Sequence, residues 1–235
     1  MNTLPVSNPV YSDAYKKALV KFFMLLGEGH ALKGDYAGFA FSKLPEHFQM
    51  PVLSALQEWV QFFEMHSQGA AKVSDKQLLW RFLSVFRLTP ESDMFGKLDD
   101  DTCLESYNRA GLQTFRSLSF MDVCSYSLDE VVSVPWPQLY TRDEKITQRY
   151  MELQASIADG TLQHTDLQGI IPVHEVIEIS GFDRLSTTIK PMYLSPLYDI
   201  TGQVVGAIHA FKILECKSLK APINLFAKRE MSTPL

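Results

Sequence analysis

The chain has 235 residues, a formal net charge of −5, 46% hydrophobic residues and 21% charged residues. That balance excludes a disordered polymer and disfavours a general nucleic-acid surface. The length suits one large domain or a core domain with a helical extension. Cys103, Cys124 and Cys216 are too few and too scattered for a disulfide framework or a zinc knot, so three reduced thiols are expected. The first residues, Met1 to Pro5, lack the basic start and apolar stretch of a signal peptide. The apolar run Ala18 to Leu26 is interrupted by Lys21 and is far short of the ~20 residues a membrane span needs. The expectation is a cytoplasmic protein with no membrane partner.

The first third reads as helices. From Ser12 to Gly27, apolar residues recur at Tyr15, Ala18, Leu19, Phe22, Phe23 and Leu26, the spacing of an amphipathic helix stopped by glycine. Gly27, Gly29, Gly34 and Gly38 follow in a loop. They do not form a phosphate cradle, since no strand precedes them and no Gly-Lys-Ser/Thr follows. A second helix is predicted over Met50 to His66, with Leu53, Leu56, Trp59, Val60 and Phe63 on one stripe and Pro51 in its first turn. A third is predicted over Ser74 to Arg87, carrying Leu78, Leu79, Phe82, Leu83 and Phe86, with a Ser74-Asp75 cap and Pro90 beyond its end. Such stripes are core or interface. Residues 1–90 form the helical N-terminal region of this reading.

The polar, turn-rich stretch Pro90 to Asp101 marks the main boundary, and residues 91–215 form the second unit. Short strands are predicted at Met94 to Leu98 and Thr102 to Tyr107. Asn108 to Phe115 reads as a strand-to-helix transition. In Tyr126-Ser127-Leu128-Asp129-Glu130-Val131-Val132, Ser127 and Glu130 have the spacing of a capping box, and Pro135-Trp136-Pro137 ends that helix. A long helix starts at Thr141-Arg142-Asp143-Glu144 and closes at Asp159-Gly160. Three β-rich runs follow: Ile170 to Ile179, Thr187 to Tyr198 and Gln203 to Leu214. The last two are joined by Asp199-Ile200-Thr201-Gly202, a strong hairpin signal.

The alternation assigns Ile171, Val173, Ile177 and Ile179 to one face of the first run, and Ile170, His174 and Val176 to the other. In the last run Val205, Ala207, Phe211 and Ile213 alternate with Val204, Ile208, Ala210 and Leu214. Neither face reads as solvated. Both are expected to be covered, the outer one by the N-terminal helices or a second subunit.

The succession of Tyr107-Asn108-Arg109-Ala110, Tyr126-Ser127-Leu128-Asp129-Glu130-Val131, Asp159-Gly160 and Pro196-Leu197-Tyr198-Asp199-Ile200-Thr201-Gly202-Gln203-Val204-Val205-Gly206-Ala207 resembles a PAS domain over about residues 92–215. In that family an Asn-x-Ala element leaves the second strand, a Gly-Tyr-Ser-x-Glu-Glu element caps a short helix, and a long helix with a three-stranded meander completes the fold. Two departures are visible. About ten extra residues, Arg116 to Ser125, separate the first two elements, and Ser125 stands where the family has Gly. The resemblance implies an α+β chain: a helical N-terminal region followed by a PAS-like antiparallel five-stranded sheet with flanking helices. Such a module binds a small molecule or a partner protein and is not an enzyme.

Candidate sites are sparse. A haem ligand would sit in or near the long helix, but Thr141 to Asp159 has no histidine, and His164 lies in the polar loop beyond it. His174 and His209 lie within strands and read first as structural histidines. A flavin photosensor of the family carries Asn-Cys-Arg-Phe-Leu-Gln, which this chain lacks. Haem and flavin are therefore disfavoured, and no cofactor is identifiable. The candidates for lining a ligand pocket are Trp136, Tyr140, Tyr193 and His209, large side chains with one polar handle each. Asp99-Asp100-Asp101 reads as a solvated turn, and no catalytic grouping or metal set is present. Residues 216–235 form a tail in which Lys217, Lys220, Lys228 and Arg229 flank prolines.

The function expected is a PAS-like sensory or regulatory protein that signals through another chain, by a protein partner or a homodimer. One alternative is an interaction adaptor whose core is filled by side chains. A further alternative is a small-molecule enzyme on a related α+β fold.

Overall fold

The computed structural model describes residues 9–26, 38–66, 74–109, 111, 113–162, 165–180 and 183–219. The expected stop at Gly27, the loop glycines Gly29 and Gly34, Ala110 of the Asn-x-Ala element, the loop residue His164 and the tail beyond residue 219 lie outside the described residues.

Helix α1 spans Pro9–Leu26 and buries Tyr15, Ala18, Leu19, Phe22 and Leu26, the stripe its periodicity requires. After the short α2, Phe39–Ser42, helix α3 runs over Glu46–His66. It begins one turn earlier than expected, so Pro51 sits inside the helix, where its ring removes one backbone donor. Helix α4, Asp75–Phe86, has a full capping box between Ser74 and Gln77 and ends on Arg87 at φ 52°.

The chain then enters the sheet through β1, Thr89–Pro90. Met94–Lys97 is a 3-10 turn and not the predicted strand. Strand β2, Cys103–Asn108, turns through Gly111 at φ 73° into β3, Gln113–Arg116. The segment read as a strand-to-helix transition is therefore a hairpin, with Asn108 in its turn, where the amide of Gly111 donates to the Asn108 carbonyl. The ten residues that lengthen the family pattern hold the end of β3 and helix α5, Leu118–Asp122.

Helix α6, Leu128–Ser133, has the predicted Ser127–Glu130 capping box. It is followed by α7, Trp136–Leu139, so the Pro-Trp-Pro run starts a helix as well as ending one. After β4, Tyr140–Thr141, helix α8 spans Glu144–Ala158. The Asp143 carboxylate accepts from the amides of Lys145 and Ile146 at its start, and Gly160 at φ 77° closes it. Strands β5, Thr165–Asp166, β6, His174–Glu178, β7, Leu185–Tyr198, and β8, Val204–Ser218, complete the chain.

All strands are antiparallel in one sheet of order β3-β2-β8-β7-β6-β4, with β1 and β5 added along β7. Among the described residues eight strands replace the five expected, the three additional ones being two-residue pairs. In the β7–β8 hairpin, the Asp199 carboxylate accepts from the amides of Thr201 and Gln203, and Gly202 takes φ 79°. Gly206 is needed for another reason: a Cβ there would run into the Tyr107 carbonyl of β2.

The two faces of the sheet bury different elements. On the outer face Leu104, Phe115, Leu197, Ile208 and Ala210 join α1, α3 and α4 in a single apolar cluster. Phe62 is its aromatic hub, edge-to-face with Phe63, Phe82 and Phe115. The indole of Trp59 donates to the Thr114 carbonyl and ties α3 to β3. On the inner face α8 packs Tyr150, Leu153 and Ile157 against Leu167, Ile171 and Leu194.

The expected phase slips at Gly206, where the β7 register shifts. Val205 joins the helix-covered face and Val204 the face under α8, the reverse of strict alternation. The first β run is also shorter than predicted, because Leu167 to Ile171 form a turn. Ile171 is buried under α8, while Val173 and Ile179, flanking β6, are about half exposed.

Candidate functional site

Beside α8 the inner face carries a narrow, part-open cleft with about 540 Å³ of empty space, the solvent at its mouth included and only a small part of it enclosed. Its floor is strand: Glu105 and Tyr107 of β2, Val176 of β6, Ile189 of β7, and His209 and Phe211 of β8. Its walls are Phe120 of α5, Trp136 of α7, Tyr140 of β4, and Tyr150 and Gln154 of α8, with Arg142 beside them. Period-two alternation explains the floor, since Glu105 and Tyr107 share the face opposite Leu104 and Ser106. Cross-strand register then sets Glu105 against His209 and Tyr107 against Ala207.

A buried polar chain crosses this floor. The Glu105 carboxylate accepts from His209 Nδ1 at 3.0 Å, from the Tyr107 hydroxyl at 2.8 Å and from Gln113 Nε2 at 3.2 Å. Because an ionised carboxylate only accepts, His209 Nδ1 carries a proton and donates. His209 Nε2 lies 3.2 Å from the Tyr150 hydroxyl. Burial pushes the Glu105 carboxyl upward. The His209 bond and charge, the Arg116 charge and the Tyr107 bond outweigh it and hold the group below its ordinary range. Burial raises the Tyr150, Tyr107 and Tyr140 hydroxyls well above theirs, so all three remain protonated donors.

Arg142 lies at the cavity wall with its guanidinium carbon 4.8 Å from the Trp136 ring centre and 5.2 Å from that of Tyr150. Its Nε is buried without a partner. The lining thus combines aromatic faces with one carboxylate, one imidazole and one cation. That combination suits binding of a small molecule with a flat apolar part.

Of the four pocket residues expected from sequence, Trp136, Tyr140 and His209 line this cavity together. Tyr193 does not. It points to the helix-covered face, where its hydroxyl donates to Asp93 and Lys97 lies 4.4 Å from its ring centre. A register shift between Pro191 and Tyr193 and pairing with Ala210 set that direction. His174 is buried outside the cavity, bonded through Nδ1 to the Pro172 carbonyl, and burial lowers its pKa. Cys103 is likewise buried, its thiol pushed up to about 11. The run Asp99 to Asp101 is a surface turn in which Asp99 and Asp101 pair with Lys212. Among the described residues no group of three or more His, Cys, Asp or Glu is placed to hold a metal.

Sequence reasoning missed Glu105, Arg142 and Tyr150. Glu105 carried a signal, as a lone charge among the apolar and small residues of a predicted strand. It missed Asp129 too, which lies in the first turn of α6 and is 1% exposed. Its carboxylate accepts from the Ala40 amide at 2.7 Å, the Phe41 amide at 3.2 Å and the Tyr15 hydroxyl at 2.8 Å. This single group joins α1 and α2 to the helix that leads into the cavity wall at Trp136. Tyr15 also stacks on Phe41 with ring centres 4.0 Å apart.

No family model matches this chain, and no curated protein matches it. Among solved structures, it is similar at 12% identity and a TM-score of 0.30 to an RNA-binding light-oxygen-voltage receptor. The match covers 86% of this chain, which spans 61% of the length of that receptor chain. A likeness of that size assigns neither fold nor function. Among the described residues no helix is long and apolar enough to cross a membrane.

Proposed function

We propose that this chain is a PAS-like sensory or regulatory module that binds a small ligand in the inner-face cavity and signals through its helical layer to another chain. The observation that carries the reading is the cavity, with its floor on the sheet, its walls on α5, α7 and α8, and polar side chains converging on it. The order of elements supports the PAS-like part: a long helix α8 followed by the meander β6-β7-β8, which closes back on β2.

Occupancy would act by population shift, favouring one arrangement of α7 and α6. Through Asp129 that arrangement reaches α1 and α2, on the other face of the sheet. The reading is of a binding module and not an enzyme. A carboxylate already engaged by three donors is poorly suited to move protons.

A second reading, an interaction adaptor with a filled core, is favoured by how little of the cavity is enclosed. Native mass spectrometry of the purified chain separates the two. A reproducible small-molecule adduct, lost in Trp136→Ala, is expected. An adduct-free chain, with α1 and α2 exchanging amide hydrogens at rates no cell extract alters, overturns the sensory reading.

A further inference from the structure

Two cations lie near the inner-face cleft, and they differ in what faces them. Arg116 stands opposite Glu105 in register, so that each charge answers the other. Arg142, in the link between β4 and α8, has no such counterpart. Its neighbour Asp143 accepts from the amides of Lys145 and Ile146 at the start of α8. Among the described residues no carboxylate pairs with Arg142, and its Nε is buried without a partner. Water solvates a half-buried guanidinium, so the charge alone demands no ligand. Its placement is more telling. Trp136 and Tyr150, with ring centres 4.8 Å and 5.2 Å from the guanidinium carbon, hold it against the cleft. A cation fixed in this way loses little freedom when it binds an anion.

Burial sorts the rest of the lining by depth. Trp136, Tyr140, Arg142 and Gln154 are partly exposed and form the rim. Phe120, Val176, Ile189 and Phe211 are buried and belong to one apolar cluster. Phe120 and Phe211 meet edge-to-face with ring centres 5.0 Å apart. The cleft thus has a cation at its rim and an apolar interior. Because the enclosed part is small, one ring enters and nothing larger. Aromatic walls also attract cations, but Arg142 already lies against two of these rings and repels a second positive charge.

We propose that the cleft binds a small aromatic monocarboxylate, which rests on the reading of this cleft as the ligand site. The ring lies against Phe120, Ile189 and Phe211, and the carboxylate accepts from Arg142 at the rim. The ring answers the apolar depth, and the charge answers the fixed guanidinium.

The test uses three probes of one shape and different charge: sodium benzoate, benzamide and benzamidinium chloride. Each is titrated into the full chain at neutral pH, with ionic strength held constant by chloride. Calorimetry and the nitrogen–proton resonance of Arg142 Nε report binding. Benzoate should bind saturably and shift that resonance. Benzamide should bind about tenfold more weakly, since its hydrogen bond to Arg142 lacks the second charge. Benzamidinium should not bind. Arg142→Gln should bring benzoate to the benzamide affinity. An Arg142 resonance that benzoate leaves unmoved in the wild type overturns the proposal even where Arg142→Gln fails to fold. So does benzamide or benzamidinium binding as tightly as benzoate. A neutral or cationic co-purifying molecule also overturns it, but leaves the sensory reading standing. A chain with neither adduct nor benzoate binding loses both.

Discussion

The two faces of this sheet are built on opposite principles. Toward α1, α3 and α4 the face is dry and aromatic, with Phe22, Phe62, Phe82 and Phe115 each no more than 2% exposed. Toward α8 the same strands present Glu105, Tyr107, Arg116 and His209, buried to a similar degree but packed around open space. Apolar burial stabilises without needing precise partners, whereas each buried polar group has to be matched atom by atom.

Truncation should separate the faces most strongly. Phe62→Ala removes a close-packed hub and should cost about 3–5 kcal/mol in urea denaturation, the range for buried aromatic residues. Phe211→Ala, beside existing empty space, should fall at or below the bottom of that range, because its side chain already lacks neighbours on one side. Equal costs would break the contrast.

The link between the faces is the next largest effect. Asp129→Asn keeps the shape but loses a charged acceptor of several donors, and should cost about 2 kcal/mol. Hydrogen exchange should then rise in α1 and α2 while α8 keeps its protection. Loss of protection throughout would mean that Asp129 serves the whole fold and not the junction.

A smaller effect concerns acid. The Glu105 carboxyl lies below its ordinary value of 4.5 in the folded chain, so its stabilisation is complete above that pH and is lost as pH falls through the lower folded value. The wild type should therefore lose stability below about pH 4.5 more steeply than Glu105→Gln. Parallel acid limbs for the two proteins would remove Glu105 from that role. The smallest change is Tyr150→Phe, which deletes one hydroxyl bond to His209 and should cost about 1 kcal/mol. No measurable change in thermal unfolding would show that bond to be replaceable by water.

Much of the local structure was legible in sequence because its causes lie within a few residues. The Ser127–Glu130 capping box, the Asp143 cap with its Gly160 stop, and the Asp199–Gly202 hairpin are each set by short-range hydrogen bonds or a positive φ. The reading failed where longer range decided. Asn108 to Phe115 looked like a strand-to-helix transition, and Gln113 to Arg116 became a strand instead, because β2 offered it an edge. Tyr193 and His209 looked alike as pocket candidates, and strand register sent them to opposite faces. Pro51 looked like a first-turn residue, but the helix extends one turn before it.

The sequence by itself determined an α+β chain with apolar helices first and a closing β meander, since periodicity and turn chemistry are properties of neighbouring residues. Only the tertiary structure decided that Glu105 meets His209 across 104 positions, that Asp129 meets Tyr15 across 114, and that Arg116 is buried opposite Glu105. Those meetings depend on register, on a phase slip at Gly206 and on which face each helix covers. They are set by the packing of the whole chain, and no short stretch of residues encodes them.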